Sequence, residues 1–267
     1  MSPTADPFAQ LKAAQREGWA LFSPLATFTT PAAAHLVSFA EIKRGQTVLD
    51  LACGTGVVAV TAALAGAQVS GLDLSPALLV DARRNAELAE ASIEFREGDV
   101  EALPYADASF DVVLSQFGHM FAPRPAVAIA QMLRVLKPGG RIAFSTWPPE
   151  LLLGRLFDLL CEYLPQPPGV PKSSEWGDVH VVQERLGAAV RDLEFARAEL
   201  TIPALSARHY RAQMELTAAP FVKLVQVLAD QPEKLATYRA RVDAILGQYL
   251  RGNLVHQGFL MTRAIKR

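Results

Sequence analysis

The 267-residue chain has few of the features that mark several specialised classes of protein. Its two cysteines, Cys53 and Cys161, are too few for the disulfide framework of a small secreted domain. No run of about 18 apolar residues predicts a membrane helix. The N-terminal Met-Ser-Pro-Thr-Ala-Asp lacks the basic and apolar regions of a signal peptide. We therefore expect a cytoplasmic protein with no membrane partner.

The chain also lacks an excess of either charge. It has 26 basic and 27 acidic residues, a net charge of -1, and no block of like charge. Because a surface that follows nucleic-acid phosphates needs clustered basic residues, we expect no nucleic-acid partner. The histidines do not fall at metal-ligand spacing, so we expect no metal site. No feature of the sequence specifies an oligomeric state.

What the chain does have is apolar content, 51% of its residues. Between about 45 and 150 this content falls into alternating strand and helix patterns. Strand patterns occupy 47–51, 68–72, 93–96, 110–115 and 141–147, and helix patterns occupy 57–65, 75–90 and 124–136. Alternation of this kind is typical of an α/β fold with a largely parallel sheet. We predict a doubly wound, Rossmann-like, mostly parallel sheet of seven strands.

The flanking segments complete a single predicted domain, 1–267. Residues 1–44 are expected to form N-terminal helices that act as a lid over the core at 45–150. Residues 151–205 are expected to contain helices and the sixth strand. A helical cap is predicted at 206–250, inserted before an antiparallel last strand within 251–267.

The first strand ends at a polar, glycine-containing loop. In open α/β sheets, ligands bind outside the carboxyl ends of the strands. Asp50 is a carboxylate at the end of an apolar strand, where a charge needs a partner, and a cationic ligand would provide one. Gly54 and Gly56 allow the backbone to approach that ligand without a Cβ in the way.

Three further strand ends carry polar side chains. Asp73 follows the second strand, and its carboxylate can accept two hydrogen bonds from a ribose diol, each worth about 1.5–3 kcal/mol. Asp99 follows the third strand and can accept from an exocyclic amine, with Val100 or Leu74 lining an apolar slot. The segment 115–119 follows the fourth strand and is expected to face the centre of the crevice.

Five motifs in this region resemble those of the class I S-adenosylmethionine-dependent methyltransferases. They are Val48-Leu-Asp-Leu-Ala-Cys-Gly-Thr-Gly56, Gly71-Leu-Asp-Leu-Ser75, Gly98-Asp-Val-Glu-Ala-Leu-Pro104, Ser109-Phe-Asp-Val-Val113 and Leu133-Arg-Val-Leu-Lys-Pro-Gly-Gly140. The sequence resembles most the small-molecule branch that includes quinone-biosynthesis C-methyltransferases (methyltransferase type 11). The match spans about 45–147, and the order and spacing of the motifs make it specific.

The resemblance implies S-adenosylmethionine as the cofactor and a role for each motif. The Asp50 loop would hold the methionine part of the cofactor. Within that loop, Gly54, Thr55 and Gly56 follow Ala52, which stands where the family often has glycine.

The same resemblance assigns the other strand ends. Asp73 would bind the ribose hydroxyls, with Leu74 against the adenine. Asp99 would contact the adenine amine, with Val100 beside it. Ser115 or Gln116 would line the methionine end.

His119 is the candidate catalytic residue. Its position after the fourth strand is expected to place the imidazole near the methyl group, where it can accept a proton from a substrate hydroxyl or an acidic carbon. The alternative is a histidine that only packs in the protein interior. A base is optional, because the sulfonium already activates the methyl and alignment supplies much of the catalysis.

The predicted function is methyl transfer by in-line displacement to a small organic acceptor. Two alternatives stay open. Gly54-Thr-Gly56-Val-Val-Ala59 also matches the dinucleotide pattern G-x-G-x-x-A, with Asp73 17 residues beyond Gly56, which would suit an NAD(P)-dependent oxidoreductase. Asp50 argues against that reading, since a carboxylate sits poorly near a pyrophosphate. A nucleoside-binding protein of the same fold without catalysis is the other alternative.

Overall fold

A computed structural model describes residues 6–267, and within this range eight strands form one sheet. The strands are β1 (Thr47–Leu51), β2 (Gln68–Asp73), β3 (Ile93–Glu97), β4 (Phe110–Gln116), β5 (Leu136–Thr146), β6 (Val190–Pro203), β7 (Leu250–Arg251) and β8 (Leu254–Lys266). Their order across the sheet is β3-β2-β1-β4-β5-β8-β6, and β7 pairs with β8.

The strand directions confirm the predicted sheet. Strands β1 to β5 are parallel, whereas β8 runs antiparallel to both β5 and β6. Seven strands form the continuous path, as predicted, and the two-residue β7 is additional. It forms a hairpin with β8 because Gly252 and Asn253 both take positive φ, which a type I′ turn requires. The last strand begins directly after the hairpin turn, at Leu254, within the predicted 251–267.

Helices cover both faces of the sheet. They are α1 (Ala9–Trp19), α2 (Ala26–Phe39), α3 (Val57–Leu64), α4 (Pro76–Leu88), α5 (Pro125–Val135), α6 (Leu152–Tyr163), α7 (Val179–Leu186), α8 (Ala207–Thr217), α9 (Ala219–Val227) and α10 (Pro232–Gly247). Helix α2 continues through Pro31, whose ring nitrogen cannot donate the usual hydrogen bond to the preceding turn. Helices α8 to α10 lie in the chain between β6 and β7. From Asp6 onward, none of the helices is long and apolar enough to cross a bilayer.

Candidate functional site

A cavity crosses the edge of the sheet where the parallel strands end. It contains about 1500 Å³ of empty space, which includes space open to solvent. The ends of β2 and β1 form its polar end, and residues of β8, β6 and the cap form its apolar end. Since neighbouring strands are about 4.8 Å apart, the four steps from β2 to β8 span roughly 19 Å. The cavity therefore extends along most of this edge of the sheet.

Most residues predicted for the site line this cavity. Those that do are Asp50, Ala52, Gly54, Thr55, Asp73, Leu74, Asp99, Val100 and Gln116. The other three, Gly56, Ser115 and His119, have different surroundings.

Asp50 lies near the end of β1 and is almost completely buried. Its Oδ2 accepts a hydrogen bond of 2.9 Å from the Ala59 N–H, whereas its Oδ1 has no partner among residues 6–267. Burial raises the pKa of Asp50 well above its ordinary value; the Ala59 N–H opposes this shift and the charge of Asp73 adds to it. A buried oxygen with no partner is suited to a cationic ligand, because a positive charge there would stabilise the ionised carboxylate.

The loop after Asp50 turns sharply. Ala52 and Gly54 have positive φ angles of 51° and 55°. A Cβ built on Gly54 would meet no atom of the described residues within 4 Å, so this glycine leaves space for a ligand. Gly56 has another role than the one predicted. A Cβ there would lie 3.1 Å from Phe95 and 3.2 Å from the Ala82 Cβ, so this glycine permits close packing of β3 and α4 rather than an approach to a ligand.

Asp73 connects the first two loops. Its Oδ2 accepts from the Gly54 N–H at 2.7 Å, and its Oδ1 accepts from the Ser75 N–H at 2.8 Å. Burial raises the pKa of Asp73, and these N–H donors oppose the shift. Each carboxylate oxygen has a further lone pair that a ribose hydroxyl can use. Leu74 lines the cavity beside it.

Asp99 is engaged by a residue that the sequence did not indicate. The Lys12 Nζ lies 2.6 Å from a carboxylate oxygen of each of Asp6, Asp99 and Glu101. Arg124 also pairs with Glu101, at 2.7 Å. These ion pairs, which we call the Lys12 cluster, attach α1 to the loop after β3. They therefore hold the N-terminal helix against the cavity.

Ser115 and Gln116 are neighbours with different surroundings. Ser115 is completely buried, and its Oγ donates to the Leu51 carbonyl at 2.7 Å. The predicted role for Ser115 in lining the methionine end is therefore wrong, because its hydroxyl bonds to the adjacent strand. Gln116 does line the cavity, and its Nε2 donates to the Thr29 carbonyl of α2 at 3.0 Å.

The expectation that the His119 imidazole faces the methyl group is also wrong. The ring is completely buried, with its centroid 4.6 Å from those of Phe144 and Trp176. Neither ring nitrogen has a hydrogen-bond partner in the described part of the chain. Burial, with a smaller contribution from Arg185, lowers the pKa of His119 to about 3. The histidine packs among aromatic side chains instead of lining the cavity.

This burial predicts a specific pH dependence of stability. The unfolded chain binds a proton at His119 near its ordinary pKa of 6.5, whereas the folded chain binds it only near 3. The folded state thus loses stability as the pH falls below about 6.5, by about 1.4 kcal/mol per unit. Between pH 7 and pH 5 we expect the free energy of unfolding of His119→Leu to fall by about 2 kcal/mol less than that of the wild type.

Urea denaturation at the two pH values measures this difference. The matched control is His180→Leu, because His180 is exposed. The free energy of unfolding of this variant should change between the two pH values as that of the wild type does. An equal loss of stability in the wild type and His119→Leu would contradict the assignment.

The other end of the cavity is apolar and aromatic. The rings of Phe117 and Trp147 are stacked with centroids 3.8 Å apart, and Phe157 and Phe221 lie 5.8 Å apart. Additional lining residues come from α6, β6 and the cap: Leu153, Ile202, Met214, Ala218 and Pro220. This end suits an apolar ligand.

Comparison with known proteins gives consistent matches. Residues 49–144 match a family model described as a methyltransferase domain. An uncharacterized protein of Mycobacterium tuberculosis is 34% identical over 256 residues, which cover 94% of this chain and 93% of that protein. The demethylmenaquinone methyltransferase of Clavibacter sepedonicus is 42% identical over 118 residues, 43% of this chain and 47% of that protein. The crystal structure of the YcgJ protein from Bacillus subtilis covers 88% of this chain and 98% of its own, with a TM-score of 0.64 and 20% identity, which shows the shared fold.

Proposed function

Since this chain belongs to the S-adenosylmethionine-dependent methyltransferase family, we propose that it binds S-adenosylmethionine and transfers its methyl group to a small organic acceptor. The observation that carries the proposal is the buried Asp50 Oδ1, which has no partner among residues 6–267 and belongs to the wall of this cavity.

The residues at the polar end fit this cofactor. Asp50 offers an oxygen to the ammonium group, and Asp73 offers one to the ribose diol. Leu74 and Val100 supply apolar surface for the adenine, and Gly54 leaves space for a close approach. These assignments use lone pairs and surfaces that the protein itself leaves free.

The contribution of the protein to the reaction is alignment. When bound, S-adenosylmethionine supplies an electrophilic methyl: the acceptor bonds to its carbon, the carbon–sulfur bond breaks, and the electron pair stays on sulfur to give S-adenosylhomocysteine. Holding two reactants in line can supply about 7–11 kcal/mol. Trp19 and Phe121, whose ring centroids are 4.8 Å apart, form an apolar part of the cavity wall.

The acceptor has to provide its own nucleophile. Within the described residues, no histidine, lysine or carboxylate lines the apolar end of the cavity. His119, the candidate base, is buried elsewhere. We therefore propose that any proton lost by the acceptor passes to solvent rather than to a dedicated side chain.

Titration calorimetry tests the proposal. We expect S-adenosylhomocysteine to bind the wild type and NAD not to bind. Asp50→Asn keeps the shape of the side chain but removes its charge, and it should weaken binding by about 10- to 100-fold, the value of a hydrogen bond to a charged group. Because the pKa of Asp50 is raised, wild-type affinity should fall as the pH is lowered, and Asp50→Asn should lack this part of the dependence.

Asp81→Asn is the matched control, since Asp81 lies on α4 outside the cavity wall. Its affinity should equal that of the wild type. Binding of NAD alone would favour the oxidoreductase reading. Binding of S-adenosylhomocysteine with no methyl transfer to any acceptor would favour a non-catalytic nucleoside-binding protein.

A further inference from the structure

The apolar end of the cavity has no place for a charged ligand. Among residues 6–267, no charged side chain lines it. The nearby Arg211 of α8 is buried against Asp243 at 2.7 Å and Glu215 at 2.9 Å. Arg239 also pairs with Glu215, at 2.6 Å. Because these charges neutralise one another within the cap, a phosphate or carboxylate bound in the apolar end would remain buried and unpaired, which is strongly unfavourable.

Polar side chains do reach this end: Tyr210 of α8 and Gln257 of β8 line the cavity beside its apolar residues. They are 5% and 3% exposed, and the Gln257 Nε2 donates to the Tyr210 hydroxyl. The hydroxyl oxygen is an acceptor in this bond, so its own proton can be donated to another group. As far as the described residues go, no protein atom accepts it. We call these two residues the Tyr210–Gln257 pair.

The ionisation of Tyr210 defines what the pair can bind. Burial raises the pKa of Tyr210, and the bond from Gln257 opposes this shift only in part. The phenol therefore keeps its proton at neutral pH and acts as a donor, not as a base. A buried donor without a partner destabilises a protein by about 1–3 kcal/mol, so a ligand oxygen in this position would be bound selectively.

The surrounding walls favour a flat molecule. The stacked Phe117 and Trp147 rings present a planar surface, and Met214 supplies a polarisable thioether. Aromatic ligands gain from offset stacking and from sulfur contacts on such surfaces.

We propose that the methyl acceptor is an uncharged, largely aromatic molecule carrying a hydrogen-bonding oxygen, and that the Tyr210–Gln257 pair binds that oxygen. The inference rests on the proposed function and adds the chemical class of the substrate. It makes Tyr210 a specificity-determining residue of the acceptor half of the cavity.

Calorimetry with three probes of the same ring system tests the inference: 2-naphthol, naphthalene and 2-naphthoate. The wild type should bind 2-naphthol most tightly, naphthalene more weakly and 2-naphthoate most weakly. Tyr210→Phe should lower the affinity for 2-naphthol by about 3- to 10-fold, the value of one hydrogen bond, and should leave that for naphthalene within about twofold. Gln257→Leu, which removes the group that orients the hydroxyl, should change affinities in the same direction.

Tyr238→Phe is the matched control. Tyr238 is buried in α10 outside the cavity wall, and its hydroxyl has no partner among residues 6–267. This variant should bind all three probes as the wild type does.

Three results would overturn the inference. They are no binding of 2-naphthol to the wild type, an equal loss for 2-naphthol and naphthalene in Tyr210→Phe, and 2-naphthoate binding as tightly as 2-naphthol. Titration of each variant with S-adenosylhomocysteine separates failure of the inference from failure of the proposed function. If the wild type did not bind S-adenosylhomocysteine, the methyltransferase proposal would fail, whereas normal binding with no discrimination between probes would reject only the acceptor class.

Discussion

Replacing Asp73 with alanine is expected to lower the affinity for S-adenosylhomocysteine by at least about a hundredfold. The carboxylate can accept two hydrogen bonds from a ribose diol, each worth about 1.5–3 kcal/mol because the acceptor is charged. It also accepts from the backbone N–H groups of Gly54 and Ser75, so its removal leaves both donors unpaired at the cavity wall. Titration calorimetry at pH 7 measures the change directly.

A comparison of ligands separates loss of the diol contact from distortion of the loop. The wild type should bind adenosine more tightly than 2′,3′-dideoxyadenosine, and Asp73→Ala should bind the two equally. If Asp73→Ala still preferred adenosine by the wild-type ratio, the assignment of the ribose site to Asp73 would be wrong. Asp81→Ala, altered outside the cavity, should retain both the affinity and the preference.

The polar end of the site could be predicted because its chemistry follows directly from strand position. Asp50, Asp73 and Asp99 each lie at or just after the end of a parallel strand. The ends of parallel strands meet at one edge of the sheet, so three carboxylates distant in sequence converge there. Alternating strand and helix patterns are enough to predict this placement, and the motif resemblance adds an expected ligand.

The segment after β4 could not be predicted in the same way. Phe117 has a φ of 59°, a conformation that residues other than glycine rarely adopt. No sequence pattern predicted it. A turn of this kind decides which side chains enter the cavity. Gln116 and Phe117 line it, whereas Ser115 bonds to β1 and His119 packs against Trp176. Position at a strand end correctly predicted that Gln116 lines the cavity, but it gave the wrong prediction for His119.

Contacts between elements that are far apart in the sequence could not be predicted from local sequence patterns. Lys12 and Asp99 are 87 residues apart, and Tyr210 and Gln257 are 47 apart. Neither spacing corresponds to a helix turn or a strand pair, so only the packing of α1 and of the cap brings these side chains together.

Lys12→Met is expected to lower the free energy of unfolding by about 3 kcal/mol. Removing one partner of a buried ion pair costs about 3–5 kcal/mol, and the lower end applies because Asp6 and Asp99 keep some contact with solvent. The Glu101 side chain is completely buried, and among residues 6–267 it would retain only Arg124 as a charged partner. Urea denaturation at neutral pH gives the change in stability.

The same substitution should act on the site through α1. This helix and the turn after it contribute Lys12, Gln15, Trp19 and Phe22 to the cavity wall. Because the Lys12 cluster attaches α1 to the loop after β3, loss of the cluster should increase local opening of this helix. We expect amides of α1 to exchange with deuterium at least about tenfold faster, while those of β1 and β4 change only as far as global stability does. Affinity for S-adenosylhomocysteine should fall with the loss of this wall.

Arg16→Met is the matched control on the same helix. Arg16 pairs with Glu97 at 2.7 Å, but both side chains are nearly half exposed, so the pair should contribute no more than about 1 kcal/mol. The two variants remove one positive charge each from α1, and only burial separates them. Equal effects of the two substitutions on stability and exchange would show that α1 is held by its apolar contacts instead. A large effect of Lys12→Met alone would show that the Lys12 cluster holds α1 against the polar end of the cavity.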